Sequence, residues 1–390
     1  AGLDDTALTD EAVAAARAAE AVVVVLGLTA AEESEGFDRT HLDLPADQLA
    51  VLRAVAAVCD RVVVVLANGG VVTLGEVGPH AQAILEGWLP GQAGGRAVAE
   101  VLWGWVAPSG RLAETIPLRL QDSPAYLGFP GELGTVRYGE GVFVGYRGYD
   151  ARDQAVGYPF GHGLGYTTFA YDELALEQSG SAADGDLGVL VSCRITNSGS
   201  RAGAEVVQVY LGGPSASVLQ RPPRELGGFA KVHLAPGEST RVSVRLDQRR
   251  FAAWRPGHGW WVEAGERTVE VGSSSRDIRL AGTVTVDASP LELDLDLGSS
   301  LQEWLDDPEL AAGLAELVTA AQTPDGGRGG GDAGEGAGSA LLSDPGTIAL
   351  IGNFPMDRMV AISGGLLDRA ALERLVAQRR ERHGGSTTPR

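Results

Sequence analysis

The sequence predicts a partial α/β sandwich built on a parallel sheet, followed by an antiparallel β-sandwich and a helical carboxyl-terminal extension. Three observations carry this. Across residues 1–120, continuous apolar runs alternate with segments of helical period, the pattern of a parallel sheet covered on both faces. Between Leu187 and Val286, short segments of alternating polarity recur between turn residues, as in a sandwich. Beyond Pro290, apolar residues return at helical spacing. Length agrees, because 390 residues exceed what one hydrophobic core supports. The expected division is 1–120 for the α/β domain, 121–180 for an ordered connection, 181–288 for the sandwich and 289–390 for the extension, with a Gly-rich linker at 324–340.

Thr9 can cap a helix running through Glu11 to Glu20, and the apolar run Ala21 to Gly27 then reads as a buried strand. A polar loop, Thr29 to Asp43, leaves the carboxyl end of that strand, which is where open α/β sheets place ligand sites. Pro45 to Val58 repeats the helical period, Arg61 to Leu66 the buried strand, and Ala81 to Leu85 is a third strand. From Gln121 to Phe160 the chain is irregular and rich in Gly, Tyr and Pro. Sandwich strands are expected at Val189–Thr196, Glu205–Leu211, Ser239–Leu246 and Thr268–Val271, with turns at Asn197-Ser198-Gly199 and Pro236-Gly237. Helices are expected at Ser300–Leu305, Glu309–Ala321 and Asp368–Arg382. The last two carry one apolar stripe each, Leu310, Leu314 and Leu317, and Leu372, Leu375 and Val376. Isolated helices of this length are marginal in water, so the stripes are expected to dock on the α/β domain, on the sandwich, or on a second subunit of a homo-oligomer. Gly326 to Gly338, with almost no apolar side chain, is expected to be mobile.

Composition narrows the function classes. With 44% hydrophobic and 21% charged residues the chain can bury a sizeable core. A net charge of -20 repels phosphate backbones and anionic lipid surfaces, so nucleic acid and membrane are poor partners. No apolar run approaches the roughly 18 residues that a membrane helix needs. Cys59 follows a helix-like run and Cys193 sits in a strand-like one, so no disulfide is expected. Cysteine scarcity fits a reducing, cytoplasmic location, with secretion left open. The chain enters at Ala1 directly on a helical pattern, without an initiator Met or a signal peptide, and reads as a fragment cut at its amino end. His162 and the other histidines show no ligand-like spacing, so neither metal nor cofactor is expected. Gly91 to Gly95 form no phosphate or dinucleotide loop, and Ser109 lacks the G-x-S-x-G context of a nucleophilic serine.

At Glu35-Gly36-Phe37-Asp38-Arg39, then Leu42-Asp43-Leu44-Pro45 and Gln48, the sequence resembles glycoside hydrolase family three, which includes β-glucosidases and β-xylosidases. Further motifs follow in that family's order. Trp88-Leu89-Pro90-Gly91-Gln92, Pro108-Ser109-Gly110-Arg111-Leu112 and Thr115-Ile116-Pro117 are similar to the rest of its second domain. Tyr138-Gly139-Glu140-Gly141 and Tyr158-Pro159-Phe160-Gly161-His162-Gly163 are similar to its connection to a fibronectin type III-like domain. Within that domain Glu205 to Tyr210, Glu225 to Phe229 and Pro236-Gly237-Glu238 match as well, so the resemblance covers roughly residues 10 to 280.

The resemblance implies hydrolysis of terminal β-linked sugars, with a β-linked oligosaccharide or glycoside as the partner molecule. It also implies a barrel domain that carries an Asp nucleophile, for which this chain has no counterpart; the opening strand of the second domain is missing too. Retaining hydrolysis needs a nucleophilic carboxylate and a second carboxyl about 5 Å away that acts first as acid and then as base. Taken by itself, the acidic run Glu32-Glu33-Ser34-Glu35 also fits a solvated surface. The resemblance selects Glu35 as the acid/base, beside a Gly36 that lets the backbone turn, with Glu32 and Glu33 as alternates. Asp38 and Arg39 either contact sugar hydroxyls or form an ion pair that holds the loop. Glu140 lines a pocket or serves a turn, and Trp88 stacks on sugar or packs in the core. The chain alone is expected to be inactive. The competing reading is a non-catalytic module whose sandwich binds carbohydrate or protein.

Overall fold

Val22–Gly27 forms β1, Val62–Ala67 β2 and Ala83–Glu86 β3, and the three pair in parallel in the order β1-β2-β3. The computed structural model describes residues 5–214, 217, 219–255, 259–288, 293–322 and 345–383, and the Gly-rich stretch 326–338 lies outside them. Two units divide at Pro290. Two helices, α1 (Asp5–Ala18) and α2 (Ala46–Ala56), pack on one face of the parallel sheet, where Ala16, Leu49, Leu52 and Val55 meet Leu26, Val62, Val64 and Leu66. α1 begins ahead of Thr9, so Thr9 lies within the helix instead of capping it.

β1 is not the buried strand that its apolar run suggests. It occupies the sheet edge, with the side chains of Val22, Val24 and Leu26 turned towards the helices and Val23 and Val25 exposed by 46% and 68% on the other face. Period two forces this, because successive side chains alternate between faces and at β1 only one face is covered. After β3 the chain forms α3 (Gly94–Leu102) and then α4 (Tyr146–Ala151) within an otherwise irregular stretch.

The sandwich comprises two antiparallel sheets. One holds β4 (Phe169–Ser179), β5 (Gly188–Asn197) and β8 (Ser239–Asp247); the other holds β6 (Gly203–Leu211), β7 (Glu225–Leu234), β11 (Gly265–Ser274) and β12 (Asp277–Val286). A one-turn helix, α5 (Gln248–Phe251), follows β8 and leads into a short hairpin, β9 (Ala252–Arg255) with β10 (Gly259–Val262). The core between the sheets is aliphatic, with Val189, Val191, Ile195, Val207, Leu246, Val269 and Val271 all within a few per cent of full burial. The segment before the sandwich is bound to it. Lys231 Nζ donates to Ser109 Oγ (2.7 Å), Gln208 Nε2 to the Gly161 carbonyl (3.0 Å) and the Leu226 amide to Tyr146 Oη (2.7 Å), while Tyr146 stacks on Phe160 at 4.5 Å.

The second unit is helical. α6 (Leu301–Asp306) opens with a capping box between Ser300 and Glu303, and α7 (Pro308–Gln322), α8 (Pro345–Ile351), α9 (Met356–Ile362) and α10 (Arg369–His383) follow. The two apolar stripes find their partner surface inside this unit. Leu310 and Leu314 share one core with Leu372 and Val376, closed by Trp304, Met356 and Met359. α7 and α10 approach closely because position 313 is glycine, where an added Cβ would lie 2.6 Å from Leu375 Cδ2. Arg379 completes the contact by pairing with Asp307 at 2.8 Å.

Candidate active site

The Thr29–Asp43 loop leaves the carboxyl end of β1 and is fastened at four places. At its start, Gln48 of α2 grips Gly27 in both directions, accepting from the Gly27 amide and donating to its carbonyl, each at 2.9 Å. A Cβ on Gly27 would come within 2.2 Å of the Ala67 carbonyl, so this residue must be glycine for β1 to sit against β2 there. In the middle, the Glu33 carboxylate accepts from the amides of Gly69 (2.5 Å) and Gly70 (2.6 Å), successive residues of the loop after β2. Bare glycines admit this approach, since a Cβ at 69 would stand 3.0 Å from Glu33 Oε2. Arg39 donates to the Val71 carbonyl (3.0 Å) and lies 3.6 Å from Glu33. At the far end Thr73 donates from its amide to the Leu42 carbonyl (2.7 Å) and from its hydroxyl to Asp43 (2.7 Å).

These bonds sort the acidic run. Glu32 turns back on the loop's own start, accepting from the Thr29 amide (2.9 Å) and hydroxyl (3.0 Å). Glu33 is consumed by the cradle just described. Glu35 has no such duty: Ser34 and Phe37 pair across a tight turn, Glu35 and Gly36 form its exposed tip, and no described residue engages the Glu35 carboxylate. Gly36 is not required by the turn, because its φ is not left-handed and a Cβ there would meet only Ser34 Oγ at an ordinary 3.8 Å. Asp38 is also exposed, and Arg39 pairs with Glu33, so the anticipated Asp38–Arg39 ion pair does not form.

Trp88 lies just past β3, at the same carboxyl-terminal edge of the parallel strands. It is half-buried, stands outside the apolar core and has a φ of 50°, a left-handed conformation rare for a bulky side chain. Its amide donates to Glu86 Oε1 at 2.9 Å. Glu140 lies apart from this edge and lines a cavity of about 560 Å³ with Pro124, Phe143 and Arg152. His162 packs against Tyr158 with ring centroids 5.1 Å apart. Sequence reasoning missed the segment that holds the loop, Asn68-Gly69-Gly70, although a glycine pair just after a strand was a usable signal.

Residues 3–166 match the glycosyl hydrolase family 3 C-terminal domain, and residues 205–275 match a fibronectin type III-like domain. The chain is 46% identical over 319 residues to an exo-α-(1→6)-L-arabinopyranosidase of Bifidobacterium longum, which covers 82% of this chain and 41% of that protein. It is 39% identical over 381 residues to thermostable β-glucosidase B of Acetivibrio thermocellus, covering 96% of this chain and 48% of the relative. The crystal structure of a Bifidobacterium adolescentis β-glucosidase superposes with a TM-score of 0.73 at 48% identity, over 80% of this chain and 45% of that one. The chain thus spans less than half the length of each of these proteins. By its parallel sheet, its sandwich and these matches, the chain belongs to glycosyl hydrolase family 3, of which it carries the C-terminal domain and a fibronectin type III-like domain.

Proposed function

We propose that this chain supplies the general acid/base of a retaining glycoside hydrolase acting on terminal β-linked sugars, with Glu35 as that group and the nucleophile on a barrel domain outside the chain. One observation carries the reading. Of three carboxylates in one run, Glu32 and Glu33 are spent on fastening the loop, and Glu35 is left at the tip of a turn on a loop held at four places. A catalytic group needs that combination of a fixed backbone and a free side chain.

In the first step Glu35 gives its proton to the glycosidic oxygen as the bond to the anomeric carbon breaks and the partner's carboxylate attacks that carbon. In the second step Glu35, now a carboxylate, takes a proton from the water that displaces the sugar from the nucleophile. Gly36 then serves access, leaving the flank of Glu35 bare for an approaching domain or sugar. Asp38 is the nearby group suited to accept from a sugar hydroxyl, while Arg39 supports the loop through Glu33. The relatives differ in their named sugar, arabinopyranose against glucose, so substrate choice falls to residues contributed by the barrel.

The test is reconstitution. The purified chain should give no enzymatic turnover of an aryl β-glucoside, and addition of a barrel domain bearing a carboxylate nucleophile should restore it. Hydrolysis with retained configuration by the chain alone would refute the division. One observation favours the binding-module reading: Trp254 and Trp260, 56% and 51% exposed, border a cleft of about 710 Å³ on the sandwich. Retention of the chain on immobilised polysaccharide, lost in Trp254→Ala, would support that reading.

A further inference from the structure

We propose that the cleft on the sandwich binds an acidic saccharide, with a sugar ring stacked on Trp254 and a sugar carboxylate held by Arg250. The strands β9 and β10 bring Trp254 and Trp260 together, ring centroids 5.2 Å apart and planes at 65°, and α5 supplies Arg249 and Arg250. Arg147 of α4 and Arg221, between β6 and β7, complete the basic lining. An exposed indole offers a rigid apolar surface for the apolar face of a sugar ring. A guanidinium beside it suits a carboxylate, which it can meet with two parallel donors.

Most of these cations already have partners. Arg221 donates to Glu263 (3.0 Å) and to the carbonyls of Phe251 and Ala252 (3.2 Å each), which fixes the start of the β9–β10 hairpin. Arg147 pairs with Glu225 at 3.1 Å, and the Arg249 guanidinium lies over the Trp260 ring. Arg250 is exposed, and no described residue engages it. It also lines a second cavity, of about 10 Å³, together with Gly213, Arg221, Glu225 and Arg267. That is room for one oxygen-sized atom. Arg267 is 1% exposed; its Nη2 donates to the Glu263 carbonyl at 2.6 Å, while its Nη1 is buried with no acceptor among the described residues. Buried donors require acceptors, so this end of the cleft lacks an oxygen rather than a hydrogen.

Charge decides between a neutral and an acidic ligand. Five arginines line the two cavities, against the carboxylates of Glu225, Asp247 and Glu263, the last being the partner of Arg221. This local excess of positive charge sits on a chain whose net charge is -20. At physiological salt, exposed carboxylates farther off than about 8 Å are largely screened, so the arginines set the potential that a small ligand meets. Burial and then Arg221 lower the Arg267 guanidinium to about 10, with Glu263 opposing, and a bound anion would favour its charged form. A neutral sugar would use the indoles and leave Arg250 idle; a bare inorganic anion would use Arg250 and leave the indoles idle. The inference deepens the carbohydrate-binding reading of this cleft and rests on it, and it is independent of the role of Glu35.

Trigalacturonate and its fully methyl-esterified form serve as probes, because they share a backbone and the ester hides the charge. Titration calorimetry on the intact chain should show the acid binding about ten- to a hundredfold more tightly, the worth of one charge-assisted hydrogen bond. Added salt should weaken the acid alone. Arg250→Gln should erase the difference and leave the ester unchanged, whereas Trp254→Ala should weaken both. Both side chains are exposed, so the variants should fold as wild type does. Acid and ester binding equally, or an Arg250→Gln variant that still prefers the acid, would overturn the charge requirement and leave a neutral-sugar site. Inorganic sulfate binding as tightly as trigalacturonate would overturn the saccharide. Binding of neither probe would overturn the carbohydrate reading of the cleft as well.

Discussion

Arg111 Nη2 donates to Glu205 Oε1 at 2.6 Å, with the two side chains only 9% and 8% exposed, and so joins the segment after the parallel sheet to β6 of the sandwich. A buried pair of this kind is worth little against an apolar replacement, but removing one partner strands the other charge, at about 3–5 kcal/mol. Arg111→Ala should lower the free energy of unfolding by that amount, and Arg111→Met with Glu205→Met together should recover most of it. Denaturant titration of the three proteins checks the sign of the coupling.

Glu35→Gln, in a protein that contains both the chain and its barrel, should cut turnover of alkyl glucosides by about 10² to 10⁴, the usual worth of a general acid. Glucosides with strongly activated aryl leaving groups need little protonation and should lose far less in the glycosylation step. Equal losses across a leaving-group series, read as kcat/KM, would move the role away from Glu35.

Stability separates the carboxylates of the acidic run without any assay of catalysis. Glu33→Ala removes two charge-assisted bonds from the Gly69 and Gly70 amides and should cost about 1.5–3 kcal/mol. Glu35→Ala removes no bond to a described residue and should stay within about 0.5 kcal/mol of wild type. Urea unfolding measures both, and a large cost at Glu35 would assign it a structural duty.

His162 sits where the segment after the sheet meets the sandwich, and its pKa is lowered below 6.5, chiefly by burial and then by Arg111, with Asp277 opposing. The unfolded chain therefore binds this proton more readily than the native one. The stability that neutral His162 contributes is complete above 6.5 and is lost as pH falls through the lower native value. His162→Gln should flatten that acid limb in melting curves recorded from pH 7 downward.

Much of this architecture could be read from periodicity. β2, β5, β6 and β8 lie within a residue or two of their alternating or apolar runs, because none of them carries the extra residue where a pairing shifts register. β4 escaped, and the reason is visible at Glu173. This residue has a φ of 51° at a register shift between Asp172 and Ala175, so the inward positions pass from Tyr171 to Leu174 and Leu176 and the alternation breaks. β1 misled in the opposite way, since an unbroken run of valines reads as covered on both faces whether or not a second layer is present. At the candidate site, the motif is what singles out Glu35 for the role proposed above. The cradle for Glu33 was not legible, because Gly69 and Gly70 are 36 and 37 residues away and only the folded sheet brings the two loops together.

The edge position of β1 has a practical bearing on handling. Val22-Val23-Val24-Val25-Leu26-Gly27 presents, on the side away from β2, a line of peptide groups with no described strand against it and two bare valines, and neither lysine nor proline interrupts it. Folded proteins usually blunt such a margin with charge, a bulge or a cover. Here the margin is a template for addition of a strand in any concentrated preparation, and the net charge of -20 on the chain is the opposing force. Colloidal behaviour is then set by a contest between six residues and the salt concentration: added salt screens the repulsion and leaves the strand edge untouched.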